Sequence, residues 1–326
     1  MKKKWIFVSL AVMIIFLTVL PTLSAQKKFE IVTVVKIAGI PWFNRLEEGV
    51  KQAADELSVN AYMVGPSDAD PAQQVRMVED LISKGVDAIC VTPNDAKALE
   101  PVFAKAKAKH IIILTHESPD QVGKDYDLEL IDNVKFGQHH WDTLARFMGP
   151  AGDYAIFVGS LTVPLHNLWA DEGLKYAKAK YPGLRLVTDR IPCGEDQELA
   201  KQKTLELIKA YPNLKGIVCF GSLGPTGAAQ VLMEKGLSQK ISVVGTVLPG
   251  PAAQYLKNGS MKQGILWDPK NAGFGMTWIA KQMLEGKKIA NGMTIPGIGK
   301  ITLSGDVVKV DAMIDITKDN VDTFGF

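Results

Sequence analysis

Two charged side chains lie within or next to apolar segments, where burial of a charge would destabilise the folded protein. Lys36 belongs to the apolar run "FEIVTVVKI", and Glu117 directly follows the apolar run "HIIILTH". A buried ammonium or carboxylate is stable only when it is paired and hydrogen-bonded. We therefore predict that Lys36 and Glu117 pair with each other and contact a bound polar molecule.

Aromatic and hydrogen-bonding residues follow several other apolar runs. This mixture suits a small polyhydroxylated ligand, because its C–H faces pack on rings and each desolvated hydroxyl needs a donor or acceptor. Rings are expected to supply packing surfaces, and polar groups the specificity. The candidate ligand-binding residues are Lys36, Trp42, Phe43, Asn44, Glu117, His166, Asn167, Phe220, Ser222, Leu248, Trp267 and Asp268.

Some residues near these positions have an equally good structural explanation. Trp42 and Phe43 would also serve as core residues at the start of a helix. Asp68 and Asp70, before Pro71, are predicted to cap a helix rather than to contact the ligand, and Asn94 is either a cap or a ligand contact. Trp169 lies one turn into a helix and is predicted to be core.

The elements that must position these residues alternate between strands and helices. Short apolar runs such as "VDAICVTP", "DYAIFVGS" and "LKGIVCFG" are separated by segments with helical spacing, such as "DPAQQVRMVEDLISKG". This alternation predicts an α/β protein with parallel sheets covered on both faces. Ligands of such sheets lie at the carboxyl ends of the strands, where the candidate residues stand.

Irregular segments interrupt the alternation at three places, near residues 118–136, 264–270 and 295–310. Three connections between two sheets explain them, so we predict two Rossmann-like lobes joined by a three-strand hinge. The first lobe is predicted to contain residues 27–131 and 268–294, and the second 132–267 and 295–326. Closure of the lobes around a ligand that touches both would complete the site.

The first 25 residues predict a cleaved signal peptide, since three lysines precede an apolar stretch and a small-residue end at Ser24-Ala25. The net charge is only +2, with acidic and basic residues interspersed, which argues against a nucleic-acid partner. Cys90, Cys193 and Cys219 show no metal-like spacing, and Cys90 and Cys219 are predicted to be core residues.

Motifs that would indicate an enzyme are missing from the sequence. There is no G-x-S-x-G elbow, no G-x-x-x-x-G-K phosphate loop and no metal-spaced histidine cluster, because His139 and His140 are adjacent. We predict neither a catalytic residue, nor a metal site, nor a cofactor. A repressor with the same two-lobed body would need a helix-turn-helix where this chain has its export signal.

Over nearly the whole chain after the export signal, the sequence resembles the periplasmic binding proteins of the ribose-binding type, the solute receptors of bacterial ABC sugar importers. The resemblance is carried by "VVKIAGIPWFNRLEEGVKQAADEL", "DPAQQVRMVEDLISKGVDAICVTPND" and "VVGTVLPGPAAQYLKNGSMKQGILWDPKNAG". It implies a type I periplasmic binding protein fold, a sugar-like ligand in the cleft between the lobes and an inner-membrane ABC permease as partner. A chemoreceptor is a further partner that the resemblance allows.

Within that family, "LWDPKNAG" and "KIAGIPWF" resemble the branch with the autoinducer-2 and rhamnose receptors. Autoinducer-2 receptors carry a ligand-contacting lysine at the position of Lys36 and a carboxylate, usually Asp, at that of Glu117. Their Asp-Gln pair is replaced here by Leu165-His166, and their Pro-Asp-Ala by residues 220–222, Phe-Gly-Ser. The resemblance therefore implies a periplasmic receptor for a pentose or hexose, with autoinducer-2 as the alternative ligand.

Overall fold

The computed structural model describes residues 28–326. The predicted signal peptide, residues 1–25, lies outside this range. Within it, none of the helices has the length and the apolar character that a membrane-spanning segment requires.

Short strands alternate with helices along most of the described chain, as the sequence pattern predicts. The strands are β1 (Glu30–Val34), β2 (Asn60–Val64), β3 (Ala88–Val91), β4 (Ile112–His116), β5 (Tyr126–Glu129), β6 (Ala151–Val158), β7 (Gly183–Leu186), β8 (Ile191–Pro192), β9 (Leu214–Cys219), β10 (Ser242–Gly245), β11 (Gln263–Leu266), β12 (Thr294–Ile295), β13 (Gly299–Lys300), β14 (Thr302–Ser304), β15 (Val307–Lys309) and β16 (Ile314–Ile316).

The helices cover both faces of the sheets. They are α1 (Pro41–Glu56), α2 (Pro71–Lys84), α3 (Ala96–Ala108), α4 (Asn133–Met148), α5 (Pro164–Lys180), α6 (Gln197–Ala210), α7 (Gly224–Glu234), α8 (Pro249–Lys257) and α9 (Pro269–Leu284), with a 3-10 helix at Val321–Thr323.

Helix α2 illustrates how local sequence sets these bounds. The side chain of Asp70 accepts hydrogen bonds from the backbone N–H groups of Ala72 and Gln73, and Pro71 fills the first helical position. Gly85 ends the helix in the left-handed conformation, with φ of 75°. The capping role predicted for Asp70 is therefore what the structure shows.

The first sheet has seven strands in the order β14-β15-β5-β4-β3-β1-β2. Strands β1 to β5 are parallel, and alternate residues face opposite helical layers. Ile31 and Val35 pack toward α1 and α9, whereas Val32 and Val34 pack toward α2 and α3. Cys90 is fully buried in this sheet, in agreement with its predicted core position.

The ribbon formed by β14 and β15 corrects the predicted division of the chain. Residues 295–326 were assigned to the second lobe, but β15 pairs in parallel with β5 of the first sheet. The N–H of Asp127 on β5 donates to the carbonyl of Asp306, at 2.9 Å. The ribbon therefore covers what would be an unpaired edge of the first sheet.

The second sheet has the order β16-β11-β10-β9-β6-β7, with β8 paired to β6. Its strands are parallel except for β16, which is antiparallel to β11. Helices α4 to α8 pack with this sheet or with one another. The second lobe thus contains the predicted residues 132–267. The chain returns to this lobe at β16.

Three crossings connect the lobes, between β5 and α4, between β11 and α9, and between β15 and β16. The first and third are hydrogen-bonded side by side, because the N–H of Val310 donates to the carbonyl of Glu129 at 2.8 Å. Across the cleft, the hydroxyl of Thr162 donates to the carbonyl of Asn94 at 3.1 Å. The lobes are therefore in contact over the cleft.

Candidate ligand-binding site

A buried cavity lies where the carboxyl ends of the strands in the two sheets face each other. Loops after β1, β4, β8, β9, β10 and β11 form it together with the first turns of α1 and α5. The volume in which the centre of a water molecule can lie is about 10 Å³, enough for about one water. Its lining residues are Lys36, Trp42, Phe43, Glu117, His166, Trp169, Glu195, Gly221, Ser222, Thr246 and Trp267.

Lys36 lies two residues beyond β1 and is the centre of the site. Its Nζ is 2.8 Å from Oε2 of Glu117 in the same lobe and 3.5 Å from Oε1 of Glu195 in the other lobe. Burial lowers the pKa of Lys36, but the two carboxylates outweigh burial and hold this pKa above its ordinary value. Lys36 is therefore a buried cation shared by both lobes.

The two carboxylates reach Lys36 by different routes. Glu117 directly follows β4 and has a positive φ of 61°, a conformation that costs a non-glycine residue about 1–2 kcal/mol. Glu195 lies in the loop between β8 and α6, and burial raises its pKa while the charge of Lys36 opposes that rise. Side-chain exposure is 3% for Glu117 and 8% for Glu195, so both act in a desolvated environment.

His166 presents a single N–H group to the cavity. The backbone N–H of Gly159 donates to Nδ1 of His166 at 2.9 Å, so the proton of the neutral ring is on Nε2. Nε2 is 3.5 Å from Nζ of Lys36, a contact between two donors. Burial, and then the charge of Lys36, lower the pKa of His166 well below its ordinary value. His166 therefore presents a neutral N–H donor to the cavity.

Aromatic rings from both lobes enclose the charged cluster. Trp42 and Trp267 meet edge to face with ring centroids 5.1 Å apart, and Trp267 is 5.7 Å from Trp169 in the second lobe. Nζ of Lys36 is 5.8 Å from the centre of the Phe43 ring. Such surfaces pack well against the C–H faces of a sugar ring.

Three polar atoms at the cavity have no hydrogen-bond partner among residues 28–326. They are Oγ of Ser222, Oγ1 of Thr246 and Nε1 of Trp267. Because a buried polar group without a partner destabilises a protein, such atoms mark places where a ligand or water completes the structure.

Seven of the predicted binding residues line the cavity and five lie outside it. The pairing predicted for Lys36 and Glu117 is present. The lining residues among those predicted are Lys36, Trp42, Phe43, Glu117, His166, Ser222 and Trp267. The residues outside are Asn44, Asn167, Phe220, Leu248 and Asp268.

Structural roles account for the polar residues outside the cavity. Asn44 is exposed on α1. The amide of Asn167 donates to the carbonyls of Ser160 and Val163, at 3.0 and 2.8 Å. Neither residue lines the cavity, and ligand contact by Asn44 or Asn167 stays a prediction.

Asp268 and the two apolar residues are also used by the fold. The carboxylate of Asp268 caps α9 and accepts two hydrogen bonds from Arg45, at 2.9 and 2.8 Å. Phe220 is fully buried and packs against Trp169, with centroids 5.8 Å apart. Leu248 precedes the first turn of α8 and is buried.

Four lining residues are absent from the predicted set, and Glu195 matters most among them. It follows the two-residue strand β8, which no periodicity reveals. The loop that holds Glu195 packs closely against Gly221. A Cβ on Gly221 would lie 2.5 Å from the carbonyl oxygen of Gly194, so this close approach requires glycine. The other missed residues are Trp169, predicted to be only core, Gly221 and Thr246.

The described part of the chain contains no cluster of three or more histidine, cysteine or carboxylate side chains arranged to hold a metal ion. The site is thus a set of donors, acceptors and rings. Its geometry supports recognition of a small polar molecule.

The comparison with protein families decides what kind of site this is. Residues 31–288 match the periplasmic binding protein domain family. The chain belongs to this family. The predicted family and two-lobed α/β fold are therefore confirmed, and the family consists of substrate-binding proteins.

Individual relatives of this periplasmic binding protein extend over most of the chain. The ribose import binding protein RbsB of Bacillus subtilis (strain 168) is 25% identical over 279 residues, covering 85% of this chain and 88% of the relative. The xylitol-binding protein of Mycolicibacterium smegmatis (strain ATCC 700084 / mc(2)155) is 28% identical over 267 residues, covering 78% of this chain and 67% of the relative.

Solved structures show the same fold. LsrB from Clostridium saccharobutylicum, in complex with AI-2, superimposes with a TM-score of 0.84 at 23% identity and covers 91% of this chain and 100% of its own. A solute-binding protein of an ABC transporter from Clostridium phytofermentas, with bound L-rhamnose, has a TM-score of 0.82 at 25% identity, covering 91% and 98%.

Proposed function

We propose that this periplasmic binding protein captures a monosaccharide, or a similar small polyhydroxylated molecule, between its lobes and presents it to an inner-membrane ABC importer. The protein acts by binding and not by catalysis. The predicted signal sequence supports action outside the cytoplasm.

One observation carries the proposal: both lobes contribute to a single buried polar cluster. Lys36 and Glu117 of the first lobe face His166 and Glu195 of the second, with Lys36 within 3.5 Å of each second-lobe group. The rings and the unpartnered Ser222 hydroxyl complete a surface with packing faces, donors and acceptors. This combination suits a compact molecule with several hydroxyls.

The class of function agrees with the relatives. Their names refer to ribose and xylitol, and the Clostridium phytofermentas structure contains L-rhamnose. All three are small polyhydroxylated molecules, and the predicted class, a sugar-binding protein of an ABC transporter, matches them.

Autoinducer-2 remains the alternative ligand, because LsrB shares the fold. Two positions favour a sugar as the ligand instead. Leu165 is buried where autoinducer-2 receptors have Asp, and the adjacent His166 supplies an N–H donor. Ser222 lines the cavity with a free hydroxyl.

Ligand capture requires the lobes to separate and close again. The closed cavity has room for about one water molecule, so a sugar enters only when the lobes or the lining side chains move. A ligand that contacts both lobes favours the closed state by its differential affinity, and about 5 kcal/mol moves a mostly open population to mostly closed. Small-angle scattering with and without ligand would show a decrease in the radius of gyration.

A thermal-shift and calorimetry screen tests the proposal. Pentoses, hexoses, deoxy and amino sugars, polyols and autoinducer-2 are compared, with amino acids as negative controls. A true ligand raises the melting temperature with the logarithm of its concentration. The sugar class is wrong if only autoinducer-2 or an amino acid does so, and the binding role is wrong if no compound does.

A further inference from the structure

The charges in the cavity do not balance. Lys36 is the cation, and Glu117 and Glu195 supply two carboxyl groups. His166 does not act as a second cation, because Gly159 occupies its Nδ1. Within the described residues the lining set therefore has one carboxyl group more than it has cations.

Glu195 holds the surplus carboxyl group. Lys36 is closer to Glu117, at 2.8 Å, than to Glu195, at 3.5 Å. Oε1 of Glu195 is also 3.9 Å from Nε2 of His166, beyond hydrogen-bonding distance. Glu195 has thus kept the capacity to accept a strong hydrogen bond.

The position of Glu195 makes that capacity available to a ligand. Besides lining the buried cavity, Glu195 lines an adjoining cleft of about 450 Å³ together with Asp68 and Cys193. Glu195 is the residue that lines both spaces.

The aromatic rings favour the same kind of ligand. Trp42, Phe43, Trp169 and Trp267 all line the cavity. The faces of such rings attract cations, and ammonium groups are commonly recognised by several rings together with carboxylates. The cavity combines both features.

We propose that the ligand carries a protonated amine, as an amino sugar or an amino polyol does, and that Glu195 is the residue that determines this preference. The inference rests on the proposed function and narrows its ligand class. An amine would place a charge-assisted hydrogen bond on Glu195 and leave the pair of Lys36 and Glu117 intact. An anionic sugar would face two carboxylates and be excluded.

Calorimetry with matched ligand pairs tests this inference on the mature protein. The pairs are glucosamine and glucose, galactosamine and galactose, and glucamine and sorbitol, at about pH 6, where alkyl amines are protonated. In at least one pair the amine is expected to bind tighter than its neutral partner by about tenfold or more. Glucuronate is expected not to bind.

Two variants separate the role of Glu195 from a general effect of charge. Glu195→Gln keeps the shape of the side chain and removes its charge. The ratio of the Kd of the neutral partner to the Kd of the amine is expected to fall toward one. Glu198→Gln removes a nearby carboxylate whose side chain is 74% exposed and should leave the preference unchanged. Melting curves without ligand establish that both variants are folded.

The outcomes are distinguishable. Neutral sugars that bind as tightly as their amines, or an amine preference that survives in Glu195→Gln, would overturn the inference and leave the proposed function standing. If neither these pairs nor the wider sugar and polyol panel binds, the proposed function fails together with it.

Discussion

The cavity and the hinge each bury two carboxyl groups, but only the cavity gives them a cation. Lys36 lies between Glu117 and Glu195. At the hinge, Asp127 and Glu129 lie on one face of β5, at most 1% exposed. Among residues 28–326 neither hinge carboxyl forms an ion pair with a lysine or arginine.

The consequence is a difference in protonation. Burial, and then the neighbouring Asp127, raise the pKa of Glu129 well above its ordinary value. Burial also raises the pKa of Asp127, although Thr115 donates a hydrogen bond to it at 2.6 Å. The hinge pair therefore favours a protonated form, whereas in the cavity the charge of Lys36 opposes the rise that burial causes in the pKa of Glu195.

Replacing Lys36 by methionine would make the cavity resemble the hinge, and it has the largest expected effect. Removing one partner of a buried ion pair costs about 3–5 kcal/mol. We expect the free energy of unfolding of Lys36→Met to fall by this amount near neutral pH, as measured by urea denaturation.

The pH dependence of this loss identifies its cause. Without the cation, nothing would oppose the rise that burial causes in the pKa of Glu195, so stability is lost as pH rises through this raised pKa. The deficit of Lys36→Met should therefore shrink toward acid. Lys51→Met, at an exposed pair with Glu47, serves as the control and is expected to change stability by less than about 1 kcal/mol. An equal, pH-independent loss in both variants would contradict this explanation.

Replacing Glu117 by glutamine is expected to have a smaller effect, because Lys36 keeps Glu195 as partner. We expect a loss of about 1–3 kcal/mol in stability, since the Lys36 ammonium then donates to a neutral amide oxygen instead of a carboxylate. The Kd for the ligand should rise by about tenfold, as measured by calorimetry. Glu79→Gln, at an exposed pair with Lys105, is the control, and equal binding losses in the two variants would refute a role for Glu117 in the site.

The sequence predicts the centre of this site better than its rim. Lys36 could be identified because a lysine in an apolar strand needs a partner, and parallel strands bring their carboxyl ends together. Glu195 could not, because the loop that holds it follows a two-residue strand without periodicity. Its position depends on the close approach of Gly194 and Gly221, which is a property of the folded backbone.

Two further features have physical causes that the sequence does not reveal. Asp268 is a residue type that both caps helices and binds ligands; it caps α9 and pairs with Arg45, and its ligand contact stays a prediction. The ribbon of β14 and β15 was placed in the wrong lobe because chain order does not show which sheet edge lacks a partner. The alternation of strands and helices, by contrast, predicted the fold class.

Replacing Glu129 by glutamine tests the other half of the comparison. A pKa raised in the folded state gives stability that is complete below the unfolded value, near 4.5, and is lost as pH rises through the raised value. Relative to Glu129→Gln, the wild type should therefore lose stability as pH rises from about 5 toward 8.

Denaturation at several pH values measures this difference. Glu56→Gln, an exposed position on α1, is the control and should follow the wild-type curve. If the wild type and Glu129→Gln show parallel curves, the hinge carboxyl is not protonated in the folded state, and the contrast with the cavity disappears.

The smallest expected effect concerns His166, whose protonation should not change at all between about pH 5.5 and pH 8, although a free imidazole titrates near 6.5. Adding a proton would break the hydrogen bond from Gly159 and place a second charge 3.5 Å from Nζ of Lys36. Nitrogen-15 NMR of the imidazole, assigned with His166→Gln, should show the Nε2–H form throughout. A titration near the ordinary pKa would mean that burial and Lys36 do not control this ring. In Lys36→Met the pKa of His166 should rise, yet remain low, because burial is the larger cause.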